Sequence, residues 1–243
     1  MDQVTTITFC RYKSLFHKIW AFFMMQFAHS FLKNIEGMTF YKLMGSGKSL
    51  GFNPLPDWSV YALIQVWDNN ELARQFIESS ALMHQYRGKS SECMTLFMRC
   101  ITSHGAWSEQ SPFYKSDQID PSNPIVAVIT RATIKTSKLI RFWKYVPTAQ
   151  KPIKKADGLL YTKGIGEVPI KQMATFSLWE SEERMKKFAY VSEEHQQAIK
   201  MTRELHWYQE ELFARFQPYA FHGAWSNISM DKSMINNVKS LNE

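Results

Sequence analysis

The pentapeptide His-Gly-Ala-Trp-Ser occurs twice, at His104–Ser108 and again at His222–Ser226. Trp and His are scarce residues, so a chance repeat is a poor explanation and an internal duplication is the first hypothesis. Other landmarks recur in the same order and at nearly the same offset. Arg11 answers to Arg131, Gly45 and Gly47 to Gly164 and Gly166, Trp67 to Trp179, and Phe76 to Phe188.

Each copy has the periodicity of a β-α-β-β-α-β unit. In the first, strands are expected over Val4–Arg11, Met38–Met44, Val60–Trp67 and Glu92–Ile101. A helix spans Ser14–Lys33, and another opens at a capping box of Asp68 and Glu71. In the second, strands cover Ile125–Thr133, Gly158–Lys163, Met173–Trp179 and Glu211–Ala220. Its helices are expected over Ser137–Tyr145, after a cap at Ser181, and from Ser192 to about Leu205.

Such a unit is ferredoxin-like, with two helices on one sheet face and the other face bare. Two tandem copies can bury each other's bare faces. The expected fold class is therefore α+β, two tandem ferredoxin-like halves closing as an intrachain dimeric-α/β-barrel-type fold. Its parts are an N-terminal half (1–110), a polar Pro-bearing linker (111–124), a C-terminal half (125–226) and a loose polar tail (227–243).

Aromatic residues reach 14% and there are 13 Met. That soft apolar volume builds either a well-filled core or a roomy pocket for a large apolar ligand. The net charge of +7 suits an anionic membrane surface or an acidic partner. No aromatic-basic strand supports nucleic-acid binding. Cys10, Cys93 and Cys100 are odd in number and form no CxxC pair, so reduced thiols in a cytoplasmic protein are expected. Cys93 and Cys100 would face opposite sides of one strand.

Ile19–Leu32 is the most apolar stretch and is too short to span a bilayer. Phe16, Trp20, Phe23, Phe27 and Phe31 make it an amphipathic helix. Most such stripes face a core, and a minority dock on membranes. Gly45–Ser49 lacks the full phosphate-loop spacing, and its counterpart has no Lys.

The chemistry-bearing candidates are few. His104 and His222 sit at strand-to-loop corners. His84 and His195 fall at nearly equivalent places in the second helical region of each half. His195 follows the expected cap Ser192, where the helix dipole keeps imidazole neutral, as a metal or haem iron requires. Arg131, among apolar strand neighbours, needs a partner: a carboxylate, a haem propionate or an iron-bound oxygen ligand.

The segments FYKLMGSG, PFYKS, ITRATIK, GIGEVP, ATFSLW, HQQAIKMTRE and WYQEELFARF, in this order, resemble the spheroidene monooxygenase family, the acyclic carotenoid 2-ketolases. The resemblance runs from about Thr6 to Ser226. It implies oxygen-dependent oxidation at the end of a linear carotenoid, with O2 as co-substrate, haem b as cofactor and a ferredoxin-type external electron donor. The implied barrel is similar to that of chlorite dismutases and aldoxime dehydratases, where a helix histidine is the axial ligand. On that basis His195 is the expected iron ligand, holding the haem in an apolar cavity that the two halves enclose, and Arg131 a catalytic or propionate-binding residue. Tyr161 and Lys163 are further cofactor-pocket candidates. His84 remains an alternative ligand, and so does His206, which stands where the family pattern has Gly. A membrane-dissolved substrate implies peripheral contact with the inner membrane face through the first helix and the basic surface. The alternative function is a cofactor-free ferredoxin-like barrel that binds an apolar small molecule without catalysis.

Overall fold

A computed structural model describes residues 3–48, 54–150, 153, 156–191, 205–226 and 239–240. Eight strands form one antiparallel sheet: β1 (Val4–Arg11), β2 (Met38–Gly47), β3 (Pro56–Trp67), β4 (Glu92–Gly105), β5 (Val126–Ile134), β6 (Leu159–Val168), β7 (Gln172–Trp179) and β8 (Tyr208–Ala224). The order is β4-β1-β3-β2-β6-β7-β5-β8, and β8 pairs back onto β4, so the sheet closes as a barrel. Closure removes the free edges that would otherwise invite aggregation. The two seams differ. β4 and β8 pair from Cys93–Ala224 to Gly105–Leu212, whereas β2 and β6 share only Gly45–Gly166 and Ser46–Ile165. Lys239–Ser240 of the expected loose tail adds as a short parallel strand, β9, beside Ala220 and Phe221.

Period-two alternation sends one set of side chains inside the barrel and the other out under the helices. Inside lie Ile7, Phe9, Met44, Met98, Phe176 and Phe216 with many others, all buried. On the outer face of β1–β4 the helices α1 (Leu15–Phe27), α2 (His29–Leu32), α3 (Asn70–Ser79) and α4 (Ala81–Lys89) cover one continuous apolar cluster. On the outer face of β5–β8 lie α5 (Leu139–Gln150) and α6 (Glu182–Val191). The helix expected from Ser192 to Leu205, and with it His195, falls outside the described residues apart from Leu205.

Several expectations are corrected locally. The single helix over Ser14–Lys33 breaks after Phe27, whose carbonyl accepts a bond from the Ser30 hydroxyl (2.7 Å). This side-chain bond competes with the helical ladder. The cap of α3 is Asn69, which accepts from the Leu72 N–H, not Asp68; Glu71 still lies in the first turn. Ser80 ends α3 and caps α4 through Met83 N–H. The supposedly polar linker is docked: Phe113 packs inside the barrel against Trp107 and Phe216, and Asn123 is buried.

Cys10 and Cys93 stand directly opposite on β1 and β4, with Cα atoms 4.2 Å apart, a juxtaposition that the spacing of the cysteines along the chain does not show. Two cysteines adjacent in space but 83 residues apart in sequence leave no local spacing signal. Cys100, on the other face of β4 as expected, is buried in the barrel, and that burial pushes its thiol pKa up to about 12.

Gly105 and Gly223, inside the two pentapeptides, have φ of +89° and +85°. A Cβ at Gly105 would sit 2.1 Å from the Glu211 carbonyl oxygen, and one at Gly223 would sit 2.1 Å from that of Cys93. Only glycine fits such a corner. Gly105→Ala is expected to cost about 3 kcal/mol or more, the left-handed backbone penalty plus displacement of β8. Gly45→Ala, with nothing within 4 Å of its Cβ, should stay within about 0.5 kcal/mol of the parent. Thermal melts of both variants check the contrast.

Candidate functional site

The two pentapeptides close the two ends of the barrel. After Gly105 the chain turns inward and drives Trp107 into the core, 1% exposed. Ser108 and Glu109 continue with positive φ, and their backbone N–H groups both donate to the Glu210 carboxylate, at 3.1 and 2.7 Å. Trp107 Nε1 donates to Glu167 (2.6 Å). Lys42 Nζ bridges Glu167 (2.9 Å) and the Ser108 hydroxyl (2.6 Å). Arg131, 2% exposed, ion-pairs with Glu210, lies 3.7 Å from Glu167, and stacks over the Trp107 ring at 5.7 Å.

The other end repeats this chemistry. Trp225 is buried among Phe9 and Tyr161, with the Arg11 guanidinium 4.7 Å above its ring. Arg11 pairs with Glu92 (3.4 Å), and the Ser226 hydroxyl donates to the same carboxylate (2.8 Å). Lys163 pairs with Asp57 at 2.7 Å. A buried charge needs a counter-charge, and both ends supply one, while the Nε atoms of Arg11 and Arg131 have no hydrogen-bond partner among the described residues.

These partners also set the titration. Burial pushes the Glu210 pKa upward, but the Glu109 and Ser108 N–H groups and the Arg131 charge outweigh it, and the net shift is downward. Asp57 follows the same logic, with Lys163 and Ser59 outweighing desolvation. Tyr161 is pushed far up by burial, so its phenol stays protonated.

Arg131, Tyr161 and Lys163 therefore all point into the barrel, away from the face that α5 and α6 cover. Of the partners open to Arg131 in the sequence, the structure supplies the carboxylate. His84 is exposed on α4, and His206 is exposed with a positive φ. His104 is exposed and His222 half-buried. No cluster of three metal-ligating side chains occurs among the described residues. The sequence reading missed Glu210, Glu167 and Lys42. Alternation did hold a signal for Glu210, which shares the inward face of β8 with Leu212, Ala214 and Phe216.

The roomy pocket expected within the barrel is filled by side chains. The outer face of the second half offers a different surface. Among the described residues, its apolar side chains form two separate clusters. One joins Ile134, Phe142, Met173 and Trp207; the other joins Val126, Val128, Trp179 and Met185. Between them runs a strip of small side chains. Gly164, Thr175 and Thr130 form one cross-strand row that ends on Phe213, and the next row runs from Thr162 and Ser177 to Val128 and Arg215. At the same register from Trp67, the row of the first half holds Leu43 and Leu63 beside Thr8 and Thr95, beneath the helices. Phe213 is 37% exposed at the end of the strip.

The geometry defines a class: a closed antiparallel barrel with ion-paired, Trp-plugged ends and one outer face floored by small residues beneath helices. Sequence comparison supplies the family. The chain is 32% identical over 224 residues to the spheroidene monooxygenase of Rhodobacter capsulatus, covering 91% of this chain and 92% of the relative. It is 30% identical over 226 residues to that of Cereibacter sphaeroides, covering 92% of this chain and 69% of the relative. This chain belongs to the spheroidene monooxygenase family. No family model matches it. Among solved structures, an aldoxime dehydratase in complex with butyraldoxime superposes with a TM-score of 0.59 at 8% identity, covering 98% of this chain and 86% of the other; the likeness is one of fold.

Proposed function

We propose that this chain is an O2-dependent carotenoid monooxygenase that oxidises the end of a linear carotenoid, with haem b as its cofactor and His195 as the iron ligand, and that the haem lies against the outer face of β5–β8. Family membership supports the reaction class. The observation that supports the location is the small-residue strip between the two apolar clusters of the described residues.

Unactivated C–H bonds lie beyond side-chain chemistry, and a bound haem would supply the oxidising power. The chain's residues do the rest. Gly164, Thr130 and Thr175 let a flat group lie close to the strands. The flanking clusters, with Trp179 and Met185 on one side and Phe142 and Trp207 on the other, exclude water and offer an apolar wall to a polyene. Arg131, paired with Glu210, positions β5 and β8 from inside the barrel. A ferredoxin-type donor is acidic in character, and the net charge of +7 suits its docking.

We further read the chain as a duplication, with ferredoxin-like halves over 1–110 and 125–226. Two observations support this: the strand orders β4-β1-β3-β2 and β8-β5-β7-β6, and the matched pentapeptide ends.

Purified protein reconstituted with haem is expected to show a Soret band that shifts on reduction with dithionite. His195→Ala should lose that band and more than about 100-fold of carotenoid turnover, beyond the effect of typical outer-shell changes. His84→Ala and His206→Ala should keep both. A colourless yet active preparation, or an unchanged spectrum in His195→Ala, defeats the haem assignment.

A further inference from the structure

The helix α1 is built the wrong way round for a helix that serves only the core. Its buried positions are small or flexible: Ala21 and Met24, followed by Ala28 at the break. Its outward face carries Leu15, Phe16, Ile19, Phe22, Phe23 and Phe27, between 48% and 76% exposed. These recur at spacings of three and four, so they form one continuous stripe. Of the aromatic stripe Phe16, Trp20, Phe23, Phe27 and Phe31, only Trp20 turns inward, against Tyr12 and Tyr86. Trp58 of β3 extends the patch, 51% exposed and 5.4 Å from the Phe22 ring. Contiguous exposed apolar surface of this kind marks an interaction site.

Charge selects the occupant. From Lys13 to Ile35 there is no Asp or Glu, while Lys13, Lys18 and Lys33 border the stripe. Of the acids near it, Asp57 pairs with Lys163 and Glu167 with Lys42, and the exposed Glu36 lies beyond the end of α2. An isologous pairing of two copies would set these lysines against one another. An anionic lipid surface accepts both the lysines and the phenylalanines. Alongside α1, an open groove of about 570 Å³ runs from Phe22 and Phe23 to Tyr41, with Gln26, Lys42 and Glu167 among its polar walls. No helix among the described residues is long and apolar enough to cross a membrane.

We propose that α1 is a membrane-docking helix: it lies in the plane of an anionic bilayer with its phenylalanine stripe inserted and the flanking groove opening at the lipid surface. This does not rest on the proposed catalytic reading.

Sedimentation of the full chain with phosphatidylcholine vesicles, with and without phosphatidylglycerol, tests it. Wild type should bind the anionic vesicles, about tenfold more weakly without phosphatidylglycerol or at high salt. Phe16→Ser/Phe23→Ser/Phe27→Ser should reduce binding by about tenfold or more at an unchanged melting temperature, because all three rings are exposed. A measurement on wild type alone uses brominated acyl chains, which should quench Trp58 emission; the quenching should be lost in Trp58→Phe. Wild type that stays in the supernatant overturns the proposal, as does a triple variant that binds equally well. Wild type that dimerises through this face and ignores vesicles overturns it too. Vesicle binding without carotenoid turnover would leave docking standing and remove the catalytic reading.

Discussion

Trp107→Ala should destabilise the protein by about 4–5 kcal/mol, the upper part of the range for truncating a buried aromatic. The ring is 1% exposed, packs against Phe40 and Phe113, and holds the Arg131 guanidinium on its face. Its Nε1 is also the partner of Glu167, so truncation removes a charge-assisted hydrogen bond as well as volume. Trp225→Ala at the other end should cost less, about 3 kcal/mol, since that ring is 7% exposed. The two sites share no partner, so the costs should add to roughly 7–8 kcal/mol. That is comparable with the whole stability of an ordinary domain, about 5–15 kcal/mol. The double variant should therefore be largely unfolded at 37 °C while either single variant folds. Urea titrations followed by far-UV circular dichroism decide it. A Trp107 variant no less stable than its Trp225 counterpart would mean that the pentapeptides are surface turns and not plugs.

Arg131→Met should cost about 3 kcal/mol, the low end for breaking a buried pair, because Glu210 keeps 18% side-chain exposure and two backbone donors. The pH dependence carries the sharper signature. The folded-state pKa of Glu210 lies below its ordinary value of 4.5. Its contribution is therefore complete above the unfolded value and is lost as pH falls through the depressed folded value. Removing Arg131 takes away one of the groups that depress it. The variant should lose less stability than wild type between about pH 5 and pH 3, so the gap between them narrows in acid. A gap that stays constant across that range would show that Arg131 is held by packing and not by Glu210.

Much of the architecture was legible because it rests on short-range rules. Period-two alternation placed all eight barrel strands to within a few residues, apart from longer ends on β2, β3, β4, β6 and β8. Those ends extend because backbone pairing continues past the apolar core, across a seam as at His104–Phe213 and within a hairpin as at Gly47–Pro56 and Val168–Gln172. The repeated pentapeptide pointed to paired structural corners, and it occupies them. Helix breaks at Phe27 and Ser80 were not legible, since each turns on which backbone group a serine hydroxyl engages. The Cys10–Cys93 pairing was hidden for a related reason: strand register is a property of the assembled sheet.

The candidate site divides in the same way. Arg131 was recognisable from sequence because a charge in an apolar strand must be matched somewhere. That its match is Glu210, reached across β5 and β8, depends on which strands become neighbours when the barrel closes. Tyr161 and Lys163 were legible as strand residues, but their direction into the barrel follows from sheet curvature, which no local pattern encodes.

Sequence alone determined the alternation of strands and helices, the glycine corners and the family, because these depend on residue type and spacing along one chain. Only the tertiary structure decided that the barrel interior is solid, that both its ends are plugged by tryptophan under an ion pair, and that α1 turns its phenylalanines outward. The physical reason is that volume, counter-charge and exposure belong to sets of residues brought together from distant strands, and no single segment contains them.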